Sequence, residues 1–251
     1  MITPAPDFRQ PTDKSIKTWR YMDFTKFVSM LTTNTLYFPR ADRLGDPFEG
    51  SWPKLNVEQR SDMLKEMGAA KPSDVSETMA DFAKRLRQYI YVSCWHANEH
   101  ESAAMWNLYA ESGKGIAIQT TFDRLYDILH AVPTKLFLGM IEYLDYQNES
   151  TPWVGALSPF MRKRKSFEHE QEVRAIIEDA PDSWPLSREQ AQDEGRLEGL
   201  PIAVSLADLI ENVYVAPQSP DWFRQLVDKM SDKYGLSKPV RQSILDEDPL
   251  F

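Results

Sequence analysis

Short runs rich in β-branched and aromatic residues recur along this chain, most of them separated by stretches with helical spacing. None is followed by the Gly-rich turn of a dinucleotide-binding unit. "SIKTWRYMDF", Leu36 to Phe38, "YIYVSCW" at 89–95, "GIAIQTTF", "LFLGMIEYLDY", "LPIAVSL", "NVYVAP" and "KPVRQSIL" read as strands. "TKFVSMLTTN", with Phe27, Val28 and Leu31 on one face, reads as a helix, as do "DRLYDILHAV" and "DWFRQLVDKMSDKYG". This interleaving predicts an α+β fold with a mixed or mainly antiparallel sheet and flanking helices, not a doubly wound one. Residues 55–90 read as a helical insertion, in which Asp74 and Glu77 form a capping-box pattern. Residues 1–14 are expected to be a flexible leader and 15–251 a single α+β domain, with a mobile polar segment near 180–198.

Composition narrows the function classes. No apolar run approaches the roughly 18 residues that cross a bilayer, and the first residues lack a signal pattern, so a cytoplasmic protein without a membrane partner is expected. A single cysteine, Cys94, rules out an intramolecular disulfide and a cysteine-built metal site within one chain. The formal charge of −9 disfavours non-specific nucleic-acid binding, which depends on neutralising phosphates. The exception is "MRKRK", whose Arg162, Lys163, Arg164 and Lys165 read either as a solvated helix end or as a phosphate contact.

Three stretches carry candidate chemistry. In "SFEHEQEVRAII", extended backbone would project Glu168, Glu170 and Glu172 from one face. Such a face lies in water, pairs with Arg174, Arg162 or Arg164, or points at a cationic group. Two carboxylates there can divide labour, one held ionised against developing positive charge and the other moving a proton, as glycosyl transfer requires. In "RADRLGDPFEG", Phe48 is expected to anchor a loop whose Asp46 and Glu49 stay polar, as a plain turn or a pocket edge. In "VSCWHANEHESAAMWNLYAES", Asn98 and Glu101 suggest a capping box, and Gly113 a helix end. Ser102, Trp106 and Tyr109 share one face of that helix, as core or as a ring-stacking surface. Cys94 in its apolar strand reads as inert, and although His96 and His100 lie four apart, the residues between them are not the His-Glu-x-x-His pattern of a metalloprotease.

The blocks "TLYFPRADRLGDPFEG", "SCWHANEHESAAMWNLYAESGKGIAI" and "KSFEHEQEVRAII" resemble those of a widespread bacterial family, number 2971 in the domain-of-unknown-function series, over residues 15–250. That resemblance implies no settled reaction, although related proteins are associated with phage-resistance loci. More distantly, the layout is similar to ADP-ribosyltransferases. This likeness implies that Arg20 holds the phosphates or ribose of NAD and that Tyr37 or Ser93 shapes the nicotinamide pocket. It further implies that Glu172 stabilises the oxocarbenium charge while Glu170 helps the acceptor.

The sequence therefore predicts a nucleotide-handling enzyme in a defence or toxin setting, with NAD as co-substrate, no metal, and a protein or nucleic-acid acceptor. Its catalytic residues are expected to be Glu172, Glu170 and Arg20, and its binding residues Tyr37, Ser93, Trp106, Tyr109, Arg174, Asp46 and Glu49. Two rival expectations stand beside it. One is a non-catalytic ligand-sensing or protein-interaction module. The other is a nuclease whose Asp46, Glu49, Glu170 and Glu172 hold Mg²⁺.

Overall fold

In the computed structural model, which describes residues 1–109, 113–180, 196–247 and 249, the chain begins with β1 (Lys17–Asp23), α1 (Phe24–Thr33) and β2 (Thr35–Pro39). The insertion follows as α2 (Lys54–Glu66) and α3 (Pro72–Leu86). Then come β3 (Ile90–Ala97), α4 (Ala103–Tyr109), β4 (Gly115–Thr121) and α5 (Phe122–His130). The expected strand at "LFLGMIEYLDY" divides at Ile141 into β5 (Leu136–Met140) and β6 (Glu142–Leu144). The chain continues with β7 (Arg162–Arg164), β8 (Glu172–Glu178), β9 (Gly199–Ala203) and the one-turn α6 (Leu206–Leu209). It closes with β10 (Asn212–Val215), α7 (Asp221–Lys233) and β11 (Val240–Gln242). Most of the expected polar segment, residues 181–195, lies outside the described residues.

Seven strands form one sheet in the order β11-β10-β4-β1-β3-β8-β5, antiparallel at every junction except β10 with β11. This is the α+β fold with a mainly antiparallel sheet that the sequence predicts. β2 and β9 form a separate antiparallel pair, and β6 and β7 a parallel one. One sheet face carries Met22, Trp95, Ile116, Ile118, Val173 and Ala175 into the main core, where Phe27 and Leu31 of α1 and Leu125 and Leu129 of α5 meet them. Burying such side chains is the principal drive to fold.

Several local expectations are corrected. Asp74 does not cap α3, because Pro72, with its φ pre-set and no N–H to satisfy, starts that helix first. Ser102 caps α4, accepting from Met105 N at 3.3 Å, while Asn98 accepts from His100 N at 3.1 Å in a turn of its own. The leader is held to the fold: Ile2 bridges Leu136, Phe8 stacks on Phe137 at 5.0 Å, and Met140 N donates to Arg9 O at 2.7 Å.

The glutamate stretch is not one extended strand. Lys165–Glu170 is a 3₁₀ turn ending at Gln171 in left-handed backbone (φ 40°), and only from Glu172 is the chain a strand. Glu168 is exposed and does not line up with Glu172. "MRKRK" is not a helix end either. Arg162 to Arg164 form β7, and each cation already has a partner: Arg162 meets Asp7 and Glu142, Lys163 meets Glu170 and Glu172, and Arg164 meets Asp46.

Candidate active site

Opposite strand partners share a sheet face, so the registers His96↔Glu172 and Cys94↔Arg174 place these four side chains together on the face away from the main core. They form a polar seam between two apolar clusters. On one side stand Trp19, Tyr21, Trp106 and Tyr214, and on the other Ile90, Val92, Phe137, Ile176 and Phe160.

Arg174 is fully buried at the centre of the seam. Its Nε donates to Glu172 Oε1 at 2.6 Å and its Nη2 to Glu172 Oε2 at 3.1 Å. Nη1 pairs with Glu49 Oε1 and donates to Phe160 O at 2.6 Å, and Nη2 reaches Glu49 Oε2 at 3.2 Å. Glu49 is thus the buried anchor of its loop, at 2 % exposure, whereas Phe48 is 41 % exposed under the Arg164 guanidinium, 4.2 Å from its ring centroid. This inverts the sequence expectation: the Arg174 fork holds the Glu49 carboxylate inside and leaves the Phe48 ring at the surface.

Lys163 extends the seam toward solvent. Its Nζ lies 2.9 Å from Glu172 Oε2 and is hydrogen-bonded to Glu170. Tyr143 Oη accepts from Glu172 N at 2.8 Å, fixing the start of β8. His96 Nδ1 donates to Glu170 O at 2.6 Å, which holds the 3₁₀ turn against β3. His96 Nε2 is buried without a partner, and burial lowers the imidazole pKa, so the ring is neutral.

With all five groups ionised, Glu49, Glu170 and Glu172 exceed Lys163 and Arg174 by one negative charge. Burial raises the Glu49 pKa even against Arg174. Burial would also raise Glu172, but Arg174 and then Lys163 hold it below the ordinary carboxylate range. The two carboxylates on one guanidinium are therefore pushed apart, Glu172 below the ordinary carboxylate range and Glu49 above it. Cys94 is the single residue of β3 that keeps partial exposure. Burial, and then the Glu172 charge, push its thiol well up, so it is a neutral group and not a thiolate nucleophile.

Pairing between β1 and β3 stops short of Cys94. β1 and β3 pair only at Thr18↔Ala97 and Trp19↔His96, although both strands continue. Farther along that edge of β3, Arg40 at the end of β2 bridges Tyr91. The side chain of Arg20 spans the interval, donating from Nη1 to Ser93 Oγ at 3.2 Å and from Nη2 to Tyr37 O at 2.7 Å. Burial lowers its pKa, while Cys94 and Tyr109, which are within electrostatic reach, pull it up. Tyr109 is 44 % exposed at the end of α4, and its phenol is pushed up to about 12 by burial, then by Cys94 and Glu170.

The expected site residues are therefore partly gathered. Glu49, Glu170, Glu172 and Arg174 converge, with Tyr109 in their field. Asp46 stands one step away, 2.8 Å from Arg164. Ser93 and Arg20 project from the other face of the sheet, because they alternate with Cys94 and Tyr21. The Tyr37 ring is exposed and packs over Gly199, contributing only its carbonyl, and Trp106 is core, edge-on to Tyr21 at 4.9 Å. Sequence reasoning missed Tyr143 and the roles of Lys163 and His96. Adjacency of the basic run to the glutamates was the one available signal. As a Mg²⁺ set, Asp46, Glu49, Glu170 and Glu172 fit poorly, since their oxygens are engaged by Arg164, Arg174 and Lys163.

No family model, curated protein or solved structure matches this chain.

Proposed function

We propose that this protein is a nucleotide-handling enzyme that transfers ADP-ribose from NAD, and that the polar seam around Cys94 is its active site. The observation that carries the reading is the excess carboxylate of the Glu49-Arg174-Glu172-Lys163-Glu170 seam, set beside a gap in the sheet that Arg20 spans. An anionic, preorganised surface stabilises the oxocarbenium-like ribose that forms as the bond from C1′ to nicotinamide breaks. Nicotinamide leaves as a neutral base, and an acceptor, or water, bonds to C1′ and gives its proton to a carboxylate.

Burial reorders the roles. Glu172, at 2 % exposure and bound by two cations, positions Lys163 and Glu170, and Glu170, less buried than Glu172, is the carboxylate that meets the sugar. Arg20 keeps donors beyond its two hydrogen bonds for a phosphate. Tyr109, and not Tyr37 or Ser93, offers the ring for nicotinamide. A non-catalytic ligand-sensing module is the second reading, favoured by the fact that each carboxylate of the seam already has a cation from the protein itself.

Nicotinamide release by the purified protein, with and without cell lysate as acceptor source, tests both. The wild type should consume NAD, and Glu170→Gln, which keeps the shape, should be at least about a hundredfold slower, near 2.7 kcal/mol of barrier. NAD left intact by the wild type under both conditions, with saturable NAD binding, would select the sensing reading. Equal rates for the two proteins would remove Glu170 from the chemistry.

A further inference from the structure

A cavity of about 300 Å³ lies between the helical insertion and residues 153–160, separated from Arg174 by Phe160. Its walls include Trp52 and Trp153, whose ring centroids are 4.2 Å apart, with Phe82, Phe160 and Gly50. One charge sits in this apolar lining. Arg60 of α2 is 5 % exposed, its guanidinium 5.5 Å from the centroid of Trp153. Its Nη1 reaches Ser76 O at a long 3.4 Å, and its Nε has no hydrogen-bond partner.

The other buried arginines make the contrast. Arg40 is paired with Asp42, Arg162 with Asp7 and Glu142, and Arg174 with Glu49 and Glu172. Among the described residues, Arg60 alone of these four has no carboxylate within salt-bridge distance. A buried guanidinium without an anion is costly, and a fold keeps one where something else supplies the charge. The cavity is of the size that small-molecule ligands occupy, and its aromatic walls suit a flat body.

We propose that this cavity binds a small aromatic carboxylate, its ring beside Trp52 and Trp153 and its anionic group on Arg60. The guanidinium then makes the paired, planar contact for which arginine is suited, and the ring displaces water from the indoles. The site is separate from the seam, and the assignment does not depend on what the seam catalyses.

Calorimetric titration of the full chain with 1-naphthoate, and with the neutral 1-naphthamide of the same shape, reads the charge requirement without a variant. The acid should bind saturably and the amide at least about tenfold more weakly. Arg60→Met should lose at least about tenfold in affinity for the acid while melting at a higher temperature than the wild type, because an uncompensated buried charge is gone. No saturable binding of the acid, equal affinity for acid and amide, or unchanged binding by Arg60→Met would each overturn the assignment.

Discussion

Removing the guanidinium of Arg174 would leave Glu49 and Glu172 in a dry interior with Lys163 as their nearest cation. Breaking a buried ion pair from one side costs about 3–5 kcal/mol, so Arg174→Met should lose that much in urea denaturation near neutral pH. Adding Glu49→Gln should recover part of the loss, since one of the stranded carboxylates disappears, and the non-additivity of this cycle measures their coupling. The pH dependence has a definite sign. Glu172 is held below its ordinary value of 4.5, so its contribution is fully present above that pH and is lost as pH falls toward its lowered folded value. The difference between wild type and Arg174→Met should therefore shrink through that acid window. A constant difference down to low pH would mean that Arg174 stabilises by packing alone.

At the scale of elements, the strands were legible because β-branched and aromatic runs occur where a sheet face must be filled on both sides, as at "YIYVSCW" and "GIAIQTTF". The break in the glutamate stretch was not. Alternation looks the same whether a chain is extended or turns at Gln171, and a glutamine in left-handed backbone gives no compositional sign. The loop before α2 was misread for a different reason: Glu49 is buried by Arg174, which is distant in sequence, and no local pattern reports a partner so remote. Half of the candidate site, the glutamates and Arg174, could be nominated from spacing, whereas its dependence on Lys163 and the gap beside Arg20 comes from strand register. That same loop depends on Gly50, at φ 69°, where an added Cβ would overlap the Phe160 ring. Gly50→Ala should cost at least about 1–3 kcal/mol from backbone strain alone, more with the overlap. A loss of only a few tenths of a kcal/mol in urea denaturation would show that neither the left-handed backbone nor the Phe160 ring resists the added methyl.

For the whole molecule, the sheet's two edges are treated differently. β11 ends one side as three residues, with Pro239 before it and Arg241 at its centre. β5 ends the other, and the leader lies along it: Thr3 N donates to Leu136 O at 2.8 Å, Gln10 Nε2 to Leu138 O at 2.7 Å, and the Phe8 backbone crosses Gly139 too closely for any side chain there. Deleting residues 1–10 removes a buried Phe8, worth about 1.5–3 kcal/mol, together with these bonds. At roughly 2–4 °C per kcal/mol for a chain of this size, melting should fall by about 10 °C. An unchanged melting temperature would mean that the leader only decorates the edge. The larger consequence concerns neighbours more than the single molecule. With the leader gone, β5 presents a row of open backbone donors and acceptors flanked by Leu136, Phe137 and Leu138, the template on which a second chain adds a strand. The first ten residues thus act as a built-in guard against aggregation, and light scattering of the truncated protein would register their loss as growing particles well below the melting temperature.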